Sequence, residues 1–337
     1  MGRIAKWFAG IVLAAGLGWL GWWFAAAAGQ EAALEGWFAA RAAEGWQAEG
    51  EVSVEGFPLD FARRIEGPAL ADPAAGWAWQ AAFLEAASPA WDPTNIAFRL
   101  PDAQDFAVPQ TRVKVASERF EGLLSVVPGV SLPLRALGLN IAALEMEGRE
   151  GWRAGAERVA IDIARRTDGA PENTYSLDLT AEAVRLPERL LGRLGMTGEG
   201  ALRFDGQVVT DRPLDLDVVE TGVVGARTLV IREGRLALGS AVLAARGRLD
   251  ADADGLAEGS LDIEAEDWQR LLEGLVDAGA LDPRMGEAVS RALGFAALLG
   301  GRDKLSVTLG FSGGAVRIGP IAIGNAPRLL PKRSPTG

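Results

Sequence analysis

Neither cysteine nor histidine occurs in this chain of 337 residues. Without cysteine there is no disulfide framework, no thiolate nucleophile and no thiolate metal ligand. Without histidine there is no Ser-His-Asp or Cys-His arrangement, no imidazole base and no ordinary zinc site. Positive charge is also short: Lys and Arg number 34 against 45 Asp and Glu, a formal net charge of −11. Nucleic-acid recognition begins with a basic footprint, so a nucleic-acid partner is not expected. Nor is bulk attraction to anionic lipid heads. No P-loop and no G-x-G-x-x-G after a strand is present. No cofactor is expected.

What is abundant is apolar surface. Hydrophobic residues make up 49% of the chain, enough for a sizeable core in one large domain or two smaller ones. From Trp7 to Gln30 no residue is charged. About 20 apolar residues at 1.5 Å rise cross a hydrocarbon core of roughly 30 Å. Arg3 and Lys6 precede this run and Glu31 and Glu35 follow it, which keeps the N-terminus on the cytoplasmic side. Trp7 at one end, with Trp19, Trp22 and Trp23 toward the other, read as interfacial anchors. The rival reading is a cleaved signal peptide with its site within Ala25–Ala28. The run is longer than a usual signal core, and either reading delivers the remainder to the same compartment. Gly10, Ala14 and Gly18 share one helix face, and small residues at that spacing allow self-association through the helix.

Residues 30–47 read as a helical connector, with Leu34, Trp37, Phe38 and Arg41 near one face. Beyond them the period becomes two. Val52/Val54, Val113/Val115, Val159/Ile161/Ile163, Tyr175/Leu177/Leu179/Ala181, Leu229/Ile231, Leu236/Leu238, Leu261/Ile263 and Leu305/Val307/Leu309/Phe311 alternate with polar residues. Leu214, Leu216 and Val218 fit the same pattern. Trp77, Trp79, Ala81 and Phe83 alternate too, although WQAAFLEAA also suits a helix. Such segments, joined by Gly-rich turns, predict a large antiparallel sheet. Short helices are expected at Pro187–Leu194 and across 267–299, where Asp267 and Pro283 serve as N-cap and N1. A strand followed by a Leu-rich helix recurs at 175–194 and 260–278, a weak internal repeat.

Few motifs carry chemistry. Asp250, Asp252, Asp254 and Gly255 begin like a calcium loop, but Leu261 stands where its bidentate Glu belongs, and a hairpin is the simpler reading. Asp215/Asp217 and Asp262/Glu264/Glu266 sit where alternation places a solvent face, and nothing near Lys304 and Ser306 desolvates a Ser-Lys dyad. Trp77, Trp79, Phe83, Trp91 and Phe98 cluster in sequence and are the candidates for an apolar groove.

The ordered set Gly56-Phe57-Pro58 with Phe61, Trp77-x-Trp79, Pro93 with Asn95 and Ile96, Tyr175-x-Leu177, and Leu186-Pro187 resembles the DUF2125 family of uncharacterised Gram-negative envelope proteins. Gly247-x-Leu249…Gly255…Gly259-x-Leu261, Asp267-Trp268, Gly313…Gly319-Pro320-Ile321 and Ala326-Pro327-Arg328 continue the likeness, over about residues 46–328. The resemblance implies a membrane anchor and an exported β-rich domain, with no known reaction or site. The unit at 247–278 also looks like pieces of the AsmA-like envelope proteins, whose sheets form lipid-associated grooves, an analogy of fold alone.

The expected protein is mainly β (a β-rich α+β chain): one transmembrane helix, then a large curved antiparallel sheet with a few short helices. Residues 1–29 form the anchor and 30–47 the connector. The exported domain is 48–328, with two halves meeting near 195–200 as one option, and 329–337 are a loose tail. The expected role is non-enzymatic: an inner-membrane-anchored periplasmic protein binding membrane lipid in an apolar groove. The alternative is a scaffold for an envelope protein partner.

Overall fold

The computed structural model describes residues 2–109, 111–193, 198–239, 241–266 and 304–331, with side chains in the first helix from Leu13 onward. The helices expected across 267–299 lie outside the described residues. The chain is mainly β and folds as two compact units, Met1–Leu124 and Ser125–Gly337. The division falls well ahead of the Gly-rich stretch near 195–200.

The anchor and the connector of the sequence reading are one continuous helix, α1, Gly2–Ala43. No proline interrupts it, and its many Ala and Leu residues sustain it at little propensity cost. It ends where Trp46 N–H bonds back to Arg41 O at 3.0 Å. β1 (Gln47–Glu55) and β2 (Asp60–Asp72) follow as a hairpin whose turn contains a cis Phe57–Pro58 bond. The next strands are β3 (Trp77–Ala81), β4 (Phe83–Pro89), β5 (Asn95–Leu100), β6 (Ala103–Val108) and β7 (Thr111–Ala116). The ambiguous WQAAFLEAA is therefore strand throughout, apart from a bend at Ala82. β2 organises the first unit. β1 pairs along its length, β4 pairs with Asp60–Glu66, and β3 pairs with Ala69–Asp72. β5 continues from β4, and β6 and β7 continue from β3. β8 (Arg119–Val126) runs across the division between the units.

The second unit is a simpler meander. Its strands are β9 (Leu134–Gly148), β10 (Arg153–Arg165), β11 (Thr174–Val184), β12 (Gly200–Thr210), β13 (Ala226–Leu238) and β14 (Ala241–Ala251). They continue as β15 (Ala257–Glu266), β16 (Lys304–Ser312), β17 (Ala315–Ile318) and β18 (Ile321–Asn325). Each strand pairs antiparallel with the next in the chain, from β9 through β18. A bulge at Arg232 lets β13 gain one residue on both neighbours.

Among the described residues, two helices interrupt the meander. The one at 187–194 is present as α2, Glu188–Arg193. The second corrects the sequence reading. Leu214, Leu216 and Val218 are not a strand; Leu216–Thr221 is helix α3, with Asp215 as its N-cap accepting from Val218 N–H at 3.3 Å. The cap wins because Asp215 satisfies a helix donor that a three-residue alternation does not need. Asp217 is consequently on a helix, paired with Arg212, and shares no strand face with Asp215.

Candidate functional site

A stripe of α1 at helical spacing docks on the first unit: Trp23, Ala27, Gln30, Leu34 and Phe38. Trp23, at 3% exposure, packs with Ala27, Phe61 and Ala90. Its ring stacks on Phe61 at 5.4 Å, and its Nε1 donates to Asp60 O at 3.1 Å. Further along, Phe38 is buried with Val52 and Ile65, flanked by Leu34, Trp37 and Leu70. Between the two clusters lies a polar link. Arg63 donates through Nε to Gln30 Oε1 at 2.6 Å and through Nη2 to Ser88 Oγ at 3.0 Å. Burial lowers the Arg63 pKa from its ordinary value. Direction-specific bonds inside an apolar interface fix how far along the sheet the helix sits.

Of the anchor residues read from the sequence, Trp7 and Gly10 lie outside the described side chains. Trp23 is core rather than lipid-facing. Trp19 is half-buried and donates to Pro58 O at 3.0 Å, while Trp22 remains 44% exposed. Ala14 and Gly18 are exposed, and nothing covers Gly18. Among the described residues no helix is long and apolar enough to cross a membrane.

The five groove aromatics do not come together. Trp79 pairs with Leu70 on the face under α1 and donates from Nε1 to Gln104 Oε1 at 3.0 Å. Trp77 meets Trp46 edge-on at 5.2 Å. Phe83 pairs with Glu66, beneath the guanidinium groups of Arg64 and Arg99. The register Arg63–Ala86–Phe98 returns Phe98 to the α1 side. Trp91 stands in a turn, 67% exposed. Trp79 lines a shallow depression with Phe106, but Asp105 and Arg112 line it too.

The continuous apolar surface lies in the second unit. Directly paired residues in a sheet point to the same face, so register can be followed from strand to strand. One row reads Leu139, Ile161, Leu179, Phe204, Gly234, Ala245, Ile263, Val307 across β9–β16. Two residues along, the row is Leu137, Ile163, Leu177, Gly206, Ile231, Gly247, Leu261, Leu309, Ile318, Ile321, across all ten strands. Beyond it come Tyr175, Val208, Leu229, Leu249, Gly259, Phe311, Val316 and Gly324. On the other side the row is Ile141, Val159, Ala181, Leu202, Leu236, Leu243, Ala265 and Leu305. No charged residue enters any of the four.

Among the described residues, only the strand ends of this face are closed. Leu186, Leu190 and Leu191, on and before α2, cover Leu238 and Ala241. Leu256, Ala326 and Leu329 pack on Leu249 and Phe311. Tyr175 is fully buried, and its hydroxyl accepts from Leu214 N–H at 3.0 Å. Between the closed ends, Leu139, Ile161, Leu179, Phe204, Ile231 and Ile263 are half-exposed, and Leu236 and Leu243 are each 37% exposed. Four rows about 7 Å apart and eight strands about 4.8 Å apart give a field of roughly 20 by 34 Å. The outer two rows of this field include the buried Tyr175, Leu249, Phe311, Ala181, Ala265 and Leu305, so the open part is its middle.

The reverse face is ionic. Arg158 bonds Glu182 at 2.6 Å, Arg203 bonds Glu233 at 3.1 Å, Arg232 pairs with Asp205, and Arg246 lies between Asp262 and Glu264. These pairs join neighbouring strands and are exposed, so each adds at most about 1 kcal/mol. Arg232 donating to Asp205, and Arg248 donating to Asp250, hold both carboxyls below the usual range. The 250–255 motif is a hairpin: Asp252 Oδ1 accepts from Asp254 N–H at 2.9 Å and Leu256 N–H at 2.8 Å. Among the described residues no group of three or more acidic side chains is placed to hold a metal.

Gly247 and Gly259 lie on the apolar face with φ of +148° and +137°. A Cβ on either would stand 2.2 Å from a backbone carbonyl oxygen of the neighbouring strand. These two glycines are among the residues that carry the family resemblance, and close strand approach explains them.

The architecture defines a class: an antiparallel β protein with one sheet that is ionic on one face and apolar on the other. The chain matches the family model described as "Uncharacterized protein conserved in bacteria (DUF2125)" over residues 23–327, and it belongs to that family. The match begins at Trp23, the first fully buried residue of α1 among those described. No curated protein and no solved structure matches the chain.

Proposed function

We propose that this protein is a non-enzymatic lipid-binding component of the cell envelope, held in the inner membrane by its N-terminal helix with both folded units in the periplasm. The observation that carries the reading is the four-row apolar field of the second unit, which the described residues close at its strand ends and leave partly exposed between them. An acyl chain laid across the strands would meet branched aliphatic side chains and no charge. Each buried methylene would contribute about 0.8 kcal/mol. The uncharged run Trp7–Gln30, preceded by Arg3 and Lys6, supports the anchor and its orientation.

The test is photocrosslinking. The full-length protein is reconstituted in vesicles containing a phospholipid with a diazirine in its acyl chain, irradiated and mapped by peptide mass spectrometry. Adducts on β10–β15, lost in Leu179→Glu, are expected. Adducts confined to α1 would leave an anchored protein without a lipid site and overturn the groove.

A further inference from the structure

Two turns of the first unit present large apolar side chains to solvent at one place. Residues 56–59, between β1 and β2, carry Phe57 at 44% and Leu59 at 57% exposure, and the turn after β4 carries Trp91 at 67%. Ala90 N–H donates to Leu59 O at 2.7 Å, so the turns form one surface. That surface is fastened to α1. Trp19 Nε1 donates to Pro58 O, and the Phe57 ring lies 5.4 Å from Trp23 and 5.6 Å from Phe24. Leu13, Leu17, Leu20, Trp22 and Phe24 are exposed on the adjoining helix. Neither Gly56–Leu59 nor Pro89–Trp91 contains a charge.

We propose that this tip is seated in the interfacial layer of a phospholipid bilayer, beside the point where α1 leaves the hydrocarbon. The inference rests on α1 being the anchor. Its occupant is a lipid surface because the exposed apolar side chains run without a break into the uncharged part of α1. Aromatic and aliphatic groups of this kind prefer the headgroup boundary to water. The geometry also moves the boundary. Trp23 and Ala27 are covered by protein, so the hydrocarbon ends near Trp19–Phe24 and not at residue 29. The uncharged helix from Trp7 to Trp22 is then about 24 Å long, and Lys6 and Arg3 extend beyond it toward the opposite headgroup layer. Insertion is driven by apolar area, so it does not require anionic lipid.

The chain contains no cysteine, which makes single-site labelling direct. Full-length Phe57→Cys, Leu59→Cys, Trp91→Cys, Leu17→Cys and Ala75→Cys each carry an environment-sensitive fluorophore. They are reconstituted in phosphatidylcholine vesicles with nitroxide-quencher lipids. Ala75 is an exposed reference in the turn at the far end of β2. Labels at 57, 59 and 91 are expected to be quenched at least about twofold more than at 75, most strongly by a headgroup-level quencher. Labels at 57, 59 and 91 that behave like 75 while 17 is quenched would overturn the tip and leave the anchor standing. Absence of quenching at 17 as well would remove the anchor itself. Shielding at 57–91 that grows with protein concentration and ignores the quencher would assign the surface to a second copy of the chain and overturn the inference.

Discussion

The two units treat the same problem in opposite ways. Each has an antiparallel sheet with one apolar face. In the first, α1 lies on that face, and Phe61, Val52 and Ile65 fall below 9% exposure. In the second, the described residues cover only the strand ends, and the middle rows stay half-exposed. A covered face is core and contributes to stability. A face that the described residues leave partly open is the surface on which the lipid proposal rests. The contrast therefore separates covered from open apolar residues whose chemistry is identical.

The largest effect expected is on the covered face. Phe61→Ala removes a ring at 1% exposure and should destabilise the first unit by about 3–5 kcal/mol. Phe204→Ala, on the open face, should cost about 1–2 kcal/mol in lipid-free protein, since the ring is only partly buried. Hydrogen exchange of peptides from each unit measures both. Equal losses would mean that the second face is covered after all. Gly247→Ala should come next, at about 1–3 kcal/mol, confined to β14–β15 exchange. Tyr175→Phe leaves Leu214 N–H without its acceptor at the closed end of the field and should cost about 1 kcal/mol.

The smallest effect is on the ionic face. Asp205 and Asp250 have folded pKa values lowered by Arg232 and Arg248. Their contribution is present above the unfolded value of about 3.9 and is lost as pH falls through the lower folded values. Acid titration below about pH 4 should therefore loosen β12–β14 exchange slightly, because both groups are largely exposed. Asp250→Asn should remove part of that dependence.

Much of the sheet could be read in the sequence, because Val159/Ile161/Ile163 and Leu177/Leu179 alternate over enough residues to exclude a helix. The short alternation at 214–218 could not be decided that way, since three apolar residues in five fit either element and Asp215 settled it as a cap. The open face was not legible. Each strand revealed its own apolar side, but the row from Leu139 to Val307 exists only once eight strands are in register. Trp23 was misassigned to lipid for a related reason. A tryptophan in an uncharged run looks the same whether its neighbour is an acyl chain or Phe61, and Phe61 is remote in sequence. The aromatic group at 77–98 was compact in sequence but is divided between two faces and a turn.

The meander of the second unit has one further consequence. Every described strand from β9 to β18 pairs with its successor, so the meander is built from pairings between neighbours in chain order. A hairpin can be duplicated or deleted between existing strands while the pairing rules on either side stay intact. Each added pair of strands would widen the apolar field by about 10 Å. The reach of this surface is thus an adjustable quantity, set by the number of hairpins, and relatives of this protein can differ in it without inventing a new fold.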